Sequence, residues 1–203
     1  MTVELHQGDL PSGLDFGKSV AIDTETLGLN PLRDRLCLVQ LSSGDGNAHL
    51  VQIAKQPKDA PNLKKLLGDP DVLKLFHFAR FDVAVLYHTF GTMAEPLYCT
   101  KIASRLIRTF TDRHGLKDLC KELLGVDLSK QQQSSDWGTE ELSQEQLDYA
   151  ASDVLYLHGL KERLDAMLQR ENRTELAAAC YRFLPFRARL DLQGWAEDDI
   201  FSH

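Results

Sequence analysis

Asp23 and Glu25 stand two positions apart at the end of a short apolar run, Val20 to Ile22, and the stretch breaks at Gly28. Side chains alternate along a strand, so both acids leave it on one face, close enough to share a cation. An isolated Asp-x-Glu is more often a solvated strand end, and two further acidic segments are what turn the pair toward chemistry. Asp82 follows the apolar run Val72 to Phe76 and His77, where a strand is expected to pass into a helix. Open α/β sheets gather their sites at such ends, although alone Asp82 reads as an acid favoured by a helix N-terminus. Tyr149 and Asp153 are four apart and share one face of an expected helix. Ala150, Val154 and Leu157 lie close to that face and turn it toward the protein body. An inward acid is costly unless it is paired, hydrogen-bonded or bound to metal, and the basic residues nearby, Lys161 and Arg163, lie two turns further on.

Four carboxylates from three separated segments, plus one tyrosine, suit phosphodiester hydrolysis with two cations. Mg²⁺ or Mn²⁺ ions about 4 Å apart would clamp the attacking and leaving oxygens of an in-line displacement. Hard oxygen ligands without a His/Cys cluster favour these two ions over zinc. Tyr149, with an ordinary pKa of about 10, is neutral at pH 7 and better suited to orienting a water than to removing a proton alone.

The elements that must position these groups can be read in outline. Residues 2 to 6 suggest a short leading strand, and Val20 to Glu25, Leu36 to Ser42 and Ala48 to Ile53 three more, joined by turns. Pro61 to Leu67 reads as a short helix stopped by Gly68, Val72 to Phe76 as a buried strand, Ala79 to Phe90 as a helix ended by Gly91, and Leu97 to Thr100 as a brief strand. A meander followed by strand–helix–strand gives an α/β chain with a mixed five-stranded sheet and flanking helices. Lys117 to Leu124 has helical spacing, and Gln131 to Asp136 is a polar loop. Ser143-Gln-Glu-Gln is a capping box, after which one long helix is expected to about Arg170. Neither an internal repeat nor a linker divides the chain, so one domain over 1–203 is expected, with a core of about 18–170 and a helical tail of about 172–203.

With 203 residues and a formal net charge of −7, the chain has the size for a full core but no general attraction for a polyanion, so a nucleic acid would have to be gripped locally. The four cysteines are scattered without a Cys-x-x-Cys pair, which fits free thiols in a reducing compartment. Neither a secretory signal nor a membrane-length apolar run is present, and a cytoplasmic protein is expected.

Asp23-Thr-Glu25, His77-x4-Asp82 and Tyr149-x3-Asp153, in that order and spacing, resemble the three Exo motifs of DEDDy 3′–5′ exonucleases of the RNase D type across roughly residues 18 to 160. The resemblance implies a ribonuclease H-like fold, two divalent cations and release of nucleoside 5′-monophosphates. Carried over by position, Asp23, Glu25, Asp82 and Asp153 would be metal ligands and Tyr149 the water-orienting residue, with Thr24, Leu27 and His77 at the substrate. His77 has a structural role as its equal alternative. Ser135-Asp-Trp-Gly-Thr-Glu-Glu-Leu-Ser resembles the family's Asp-Trp-x-x-Arg-Pro-Leu-Ser but has Glu-Glu where Arg-Pro is common. The chain ends before the helical C-terminal domains of RNase D, and in length it is more similar to the small oligoribonucleases of the nanoRNase C type. That likeness implies very short RNA substrates and a homo-oligomer, an octamer. Trimming of tRNA 3′ ends or DNA 3′–5′ exonuclease activity is the alternative, and an idle RNA-binding module the competitor from another class.

Lys101, Arg105 and Arg108 fall at i, i+4 and i+7 on the helix expected after Thr100. Arg113, His114 and Lys117 follow closely. A phosphate-gripping rim that puts Arg105 and Arg108 at the substrate is expected, with a solvated charged face as its equal alternative. The tail from Glu175 to Phe201 is rich in aromatics, with Pro185 expected to break it, and reads as a subunit interface, with packing back on the same chain as the alternative.

Overall fold

The computed structural model describes residues 2–56, 59–129 and 131–203. Its sheet is centred on β2 (Ser19–Thr26) and β3 (Leu36–Ser42), which pair antiparallel with Asp23 opposite Gln40 and Glu25 opposite Leu38. All of β3 is buried, because both sheet faces are covered, and so it reads as a near-continuous apolar run. A register shift between Glu25 and Thr26 ends the regular ladder just past the two acids. On one side, β4 (Ala48–Gln52) pairs antiparallel with β3, and β1 (Val3–Gln7) pairs parallel with β4. On the other, β5 (Leu73–Phe76) and β6 (Leu97–Cys99) add in parallel, giving the order β1-β4-β3-β2-β5-β6. The sheet has six strands, not the expected five. β1 earns its place through a parallel partner some forty-five residues away, Val3 against Ala48, and no local pattern reports such a pairing.

α1 (Pro61–Leu67) and α2 (Ala79–Phe90) flank β5, and α2 stops at Gly91, whose φ of 67° closes the helix in the left-handed region. α3 (Thr100–Ile107) is followed by the short α4 (Leu116–Leu119), which widens into one π turn to Leu124. The long helix expected after Ser143 is two: α5 (Gln144–Leu155) and α6 (Leu157–Arg170), broken at Tyr156 (φ −108°, ψ −3°). α7 (Thr174–Leu190) runs straight through Pro185, which was expected to break it. Pro185 lies on the buried face with Ala177, Tyr181, Leu184 and Ala188, and packing of that face on α2, β6, α3 and α6 outweighs the hydrogen bond that proline removes. A small core under α5 gathers Leu38, Leu50, Trp137 and Ala150, and the main core fills the rest. Among the described residues no helix is long and apolar enough to cross a membrane.

Candidate functional site

β2 delivers Asp23 and Glu25 from one strand face, and α5 brings Asp153 against them. Carboxylate oxygens of the three lie within 4.8 Å of one another. α5 has this rotational phase because its start is fixed: Ser143 Oγ accepts from the Gln146 N–H at 3.3 Å, and Gln146 Oε1 accepts from the Ser143 N–H at 2.9 Å. The Gln146 amide also donates to Ser135 Oγ at 2.8 Å, tying the segment before the helix to it. Trp137, in that segment, is buried with its ring 6.0 Å from that of Tyr149. Asp82 sits in the first turn of α2, 3% exposed, and accepts a 2.7 Å hydrogen bond from Thr24 Oγ1.

The four acids crowd one another without a counter-charge, and each holds its proton more tightly than usual. Burial, then Asp82, Asp153 and Glu25, hold the Asp23 pKa well above the usual range. Burial, then Asp153 and Asp82, push Glu25 to about 9. Burial lifts Asp82 to about 7 against the Thr24 hydrogen bond, and Asp153 to about 7 against the Tyr149 hydroxyl. Among the described residues no Lys or Arg forms an ion pair with any of the four. Crowded oxygen donors lacking a counter-charge fit a hard dication. Tyr149 is pushed up by burial, then by Asp153, Glu25 and Asp23, and keeps its proton at neutral pH. His77 Nδ1 lies 2.9 Å from Thr100 Oγ1, and burial, then Lys101, hold its pKa down to about 3, so its ring is neutral.

A cleft of about 770 Å³ opens over Asp23, Glu25, Tyr149 and Asp153. Thr24, Leu27 and His77 line it as expected, together with Phe78, Lys101, Lys117 and Trp137. Asp82, buried, is outside this lining. The two expected arginines are elsewhere. Arg105 is exposed and outside the lining. Arg108 is 1% exposed, and its guanidinium is taken up by Glu122, the Arg113 carbonyl and Ser104 Oγ. The i+7 extrapolation fails because α3 ends at Ile107 and Arg108 leaves the helix (φ −100°, ψ 57°). Lys101 and Lys117 supply the positive charge of the cleft lining; the helical spacing singles out Lys101 but not Lys117. Phe78 carries no sequence signal, because what distinguishes it is its backbone conformation.

With this geometry in hand, the likeness to known proteins is informative. The 3′–5′ exonuclease family model matches residues 9–169. Ribonuclease D of Granulibacter bethesdensis is 37% identical over 154 residues, which span 76% of this chain but 38% of that protein. This chain therefore matches well under half the length of such relatives. NrnC of Brucella melitensis superposes over 100% of this chain, with TM-scores of 0.96 (61% identity) in its structure with bound Mg²⁺ and 0.97 (62% identity) in its structure bound to pGG. The match covers 100% and 99% of those two chains. Escherichia coli RNase D is 27% identical, with a TM-score of 0.76 over 85% of this chain and 45% of its own. The chain belongs to the 3′–5′ exonuclease family.

Proposed function

We propose that the protein is a 3′–5′ exoribonuclease that hydrolyses short RNA oligonucleotides, dinucleotides included, to nucleoside 5′-monophosphates. The observation that carries this reading is the convergence of Asp23, Glu25 and Asp153 within 4.8 Å, in a cleft shared with Tyr149 and with Asp82 tied to it through Thr24. Two divalent cations, Mg²⁺ or Mn²⁺, would be held by Asp23, Glu25, Asp82 and Asp153. When bound they supply the positive charge that makes water nucleophilic and offsets charge on the phosphate. Tyr149, protonated at pH 7, holds the attacking water by hydrogen bonding and does not serve as the base. Thr24 fixes Asp82 through its hydroxyl and meets the substrate through its backbone. Leu27 offers an apolar surface to a base, and His77 is a neutral hydrogen-bonding wall. Lys101 and Lys117 give the local positive charge that the net −7 of the chain withholds. The preference for short RNA draws on the full-length likeness to NrnC, which binds pGG.

The single domain carries its own assembly surface in this proposal. α7 buries one face and leaves Phe183 and Phe186 outward, with Phe201 packed at 5.8 Å on Phe183. These aromatics fit a homo-oligomer, an octamer by resemblance. The four free thiols fit the cytoplasm. The test is product analysis with purified protein, Mn²⁺ and 5′-labelled RNA and DNA oligomers. Stepwise shortening from the 3′ end with release of 5′-monophosphates, abolished by EDTA and by Asp23→Asn, is expected. Internal cleavage, or activity that survives EDTA, contradicts the proposal.

A further inference from the structure

Phe78 breaks two local rules at once. It immediately precedes α2, where Ser, Thr, Asp, Asn or Gly would cap the helix, and it makes no side-chain cap bond. Its backbone is left-handed (φ 68°, ψ 44°), a conformation that favours Gly or Asn and strains a bulky side chain. Both rules call for a small or polar residue, and the chain carries a phenylalanine. Core packing does not account for it: Phe78 is 45% exposed, whereas Phe76, two residues before, and Ala79, the next residue, are fully buried. A residue that violates local preference without a packing gain marks a functional position.

The ring stands on the divide between two cavities. One is the cleft over the acids; the other, about 650 Å³, is bounded by Leu29, Arg33, Phe81 and the turn at Asp191 and Glu197. Lys101 Nζ lies 4.2 Å from the ring centroid. An aromatic ring is thus fixed in space before any substrate arrives, one step along the chain from His77 and one helical turn from Asp82, with the Lys101 ammonium over one face, so that a base stacks on the other face or on this one as Lys101 moves to the phosphate. We infer that Phe78 is a stacking platform for a nucleobase of the substrate and that Lys101 meets the phosphate attached to that base. The inference rests on the reading of the protein as an oligonucleotide hydrolase and names how that substrate is held. Base–aromatic stacking is tolerant of sequence because every base has a π face, which suits an enzyme that must accept any short RNA. A ring held by its backbone also loses little freedom on binding.

The experiment compares wild type with Phe78→Asn and Phe78→Trp. Asn tolerates the left-handed backbone and the cap position but removes the ring; Trp keeps an aromatic face. The substrates are a 5′-phosphorylated RNA dinucleotide and its two singly abasic versions, with Mn²⁺, and affinity is measured separately by fluorescence polarisation of a labelled dinucleotide. Phe78→Asn should raise KM by about tenfold or more, the loss falling on KM rather than kcat. Its thermal unfolding midpoint should be no lower than that of wild type, and Phe78→Trp should recover most of the affinity. On the version abasic at the stacked position, wild type and Phe78→Asn should have equal kcat/KM. Unchanged KM in an active Phe78→Asn enzyme, or an equal loss on both abasic substrates, overturns the platform and leaves the hydrolase reading intact. An inactive wild type whose dinucleotide affinity still depends on Phe78 would overturn the hydrolase reading and leave the platform.

Discussion

Arg108 offers a sharp separation of structural from substrate roles. Its side chain is 1% exposed and donates to the Arg113 carbonyl at 2.6 Å, to Ser104 Oγ at 3.1 Å and to Glu122, whose own side chain is 41% exposed. Removing one member of a fully buried ion pair typically costs about 3–5 kcal/mol. Water can reach Glu122, so the ion-pair part falls at the low end of that range. The Arg113 carbonyl and the shape of the buried guanidinium are not replaced. Arg108→Met, which keeps the aliphatic stem, should therefore lose about 3 kcal/mol of stability. For a chain of this size that is a fall of about 6–12 °C in the unfolding midpoint. Glu122→Gln keeps an acceptor for the guanidinium but leaves the buried Arg108 charge unpaired, so it too should lose stability, by about 1–3 kcal/mol, and KM measured well below the transition should stay unchanged in both variants. Urea and thermal unfolding followed by circular dichroism, with steady-state kinetics at low temperature, make the comparison. An Arg108→Met protein of wild-type stability with a raised KM would refute the structural assignment and return Arg108 to the phosphate rim.

Asp153→Asn should be more stable than wild type at pH 8 in EDTA, while inactive. Its carboxyl is ordinarily near 3.8 and is pushed to about 7 in the fold, so the folded state holds the proton more tightly and stability falls as pH rises from about 4 through 7. The gain scales at about 1.4 kcal/mol per pKa unit relieved, should vanish near pH 4, and should shrink when Mg²⁺ is added; equal or lower stability of the variant at pH 8 in EDTA would contradict the charge-crowding account. Tyr149→Phe should lower kcat more than it raises KM, and an unchanged kcat would remove the hydroxyl from the reaction. Phe186→Asp, at a position 58% exposed in the single chain, should reduce the oligomer size seen by light scattering without unfolding the protein; a monomeric wild type would end the interface proposal.

Much of the site was visible in the residues, because its logic is local. The two-residue spacing of Asp23 and Glu25 and the four-residue spacing of Tyr149 and Asp153 each specify a shared face once the element is known, and the capping box at Ser143 gives α5 its start. The stops at Gly68 and Gly91 were legible from the glycines themselves, the second closing its helix at φ 67°. What escaped depends on distant partners. β1 was expected as a strand, but its place as sixth member of the sheet is set by β4, and Tyr156, a residue with no breaker chemistry, interrupts a helix that sequence alone would continue. Pro185 sits in a helix that packing sustains. Arg108 points inward because α3 stops one residue earlier, a boundary that the run of basic residues does not mark.

The central claim is that four converging acids act on very short RNA held in one compact cleft. The direct test is kcat/KM for 5′-phosphorylated RNAs of two to about twenty nucleotides, with matched DNAs, in Mn²⁺. If a cleft of about 770 Å³ grips both nucleotides of a dinucleotide, as proposed, it gains little from a longer chain, so the account predicts a maximum at two nucleotides, a decline with length and lower values for DNA. A kcat/KM that climbs with length, or a clear preference for DNA, would contradict it.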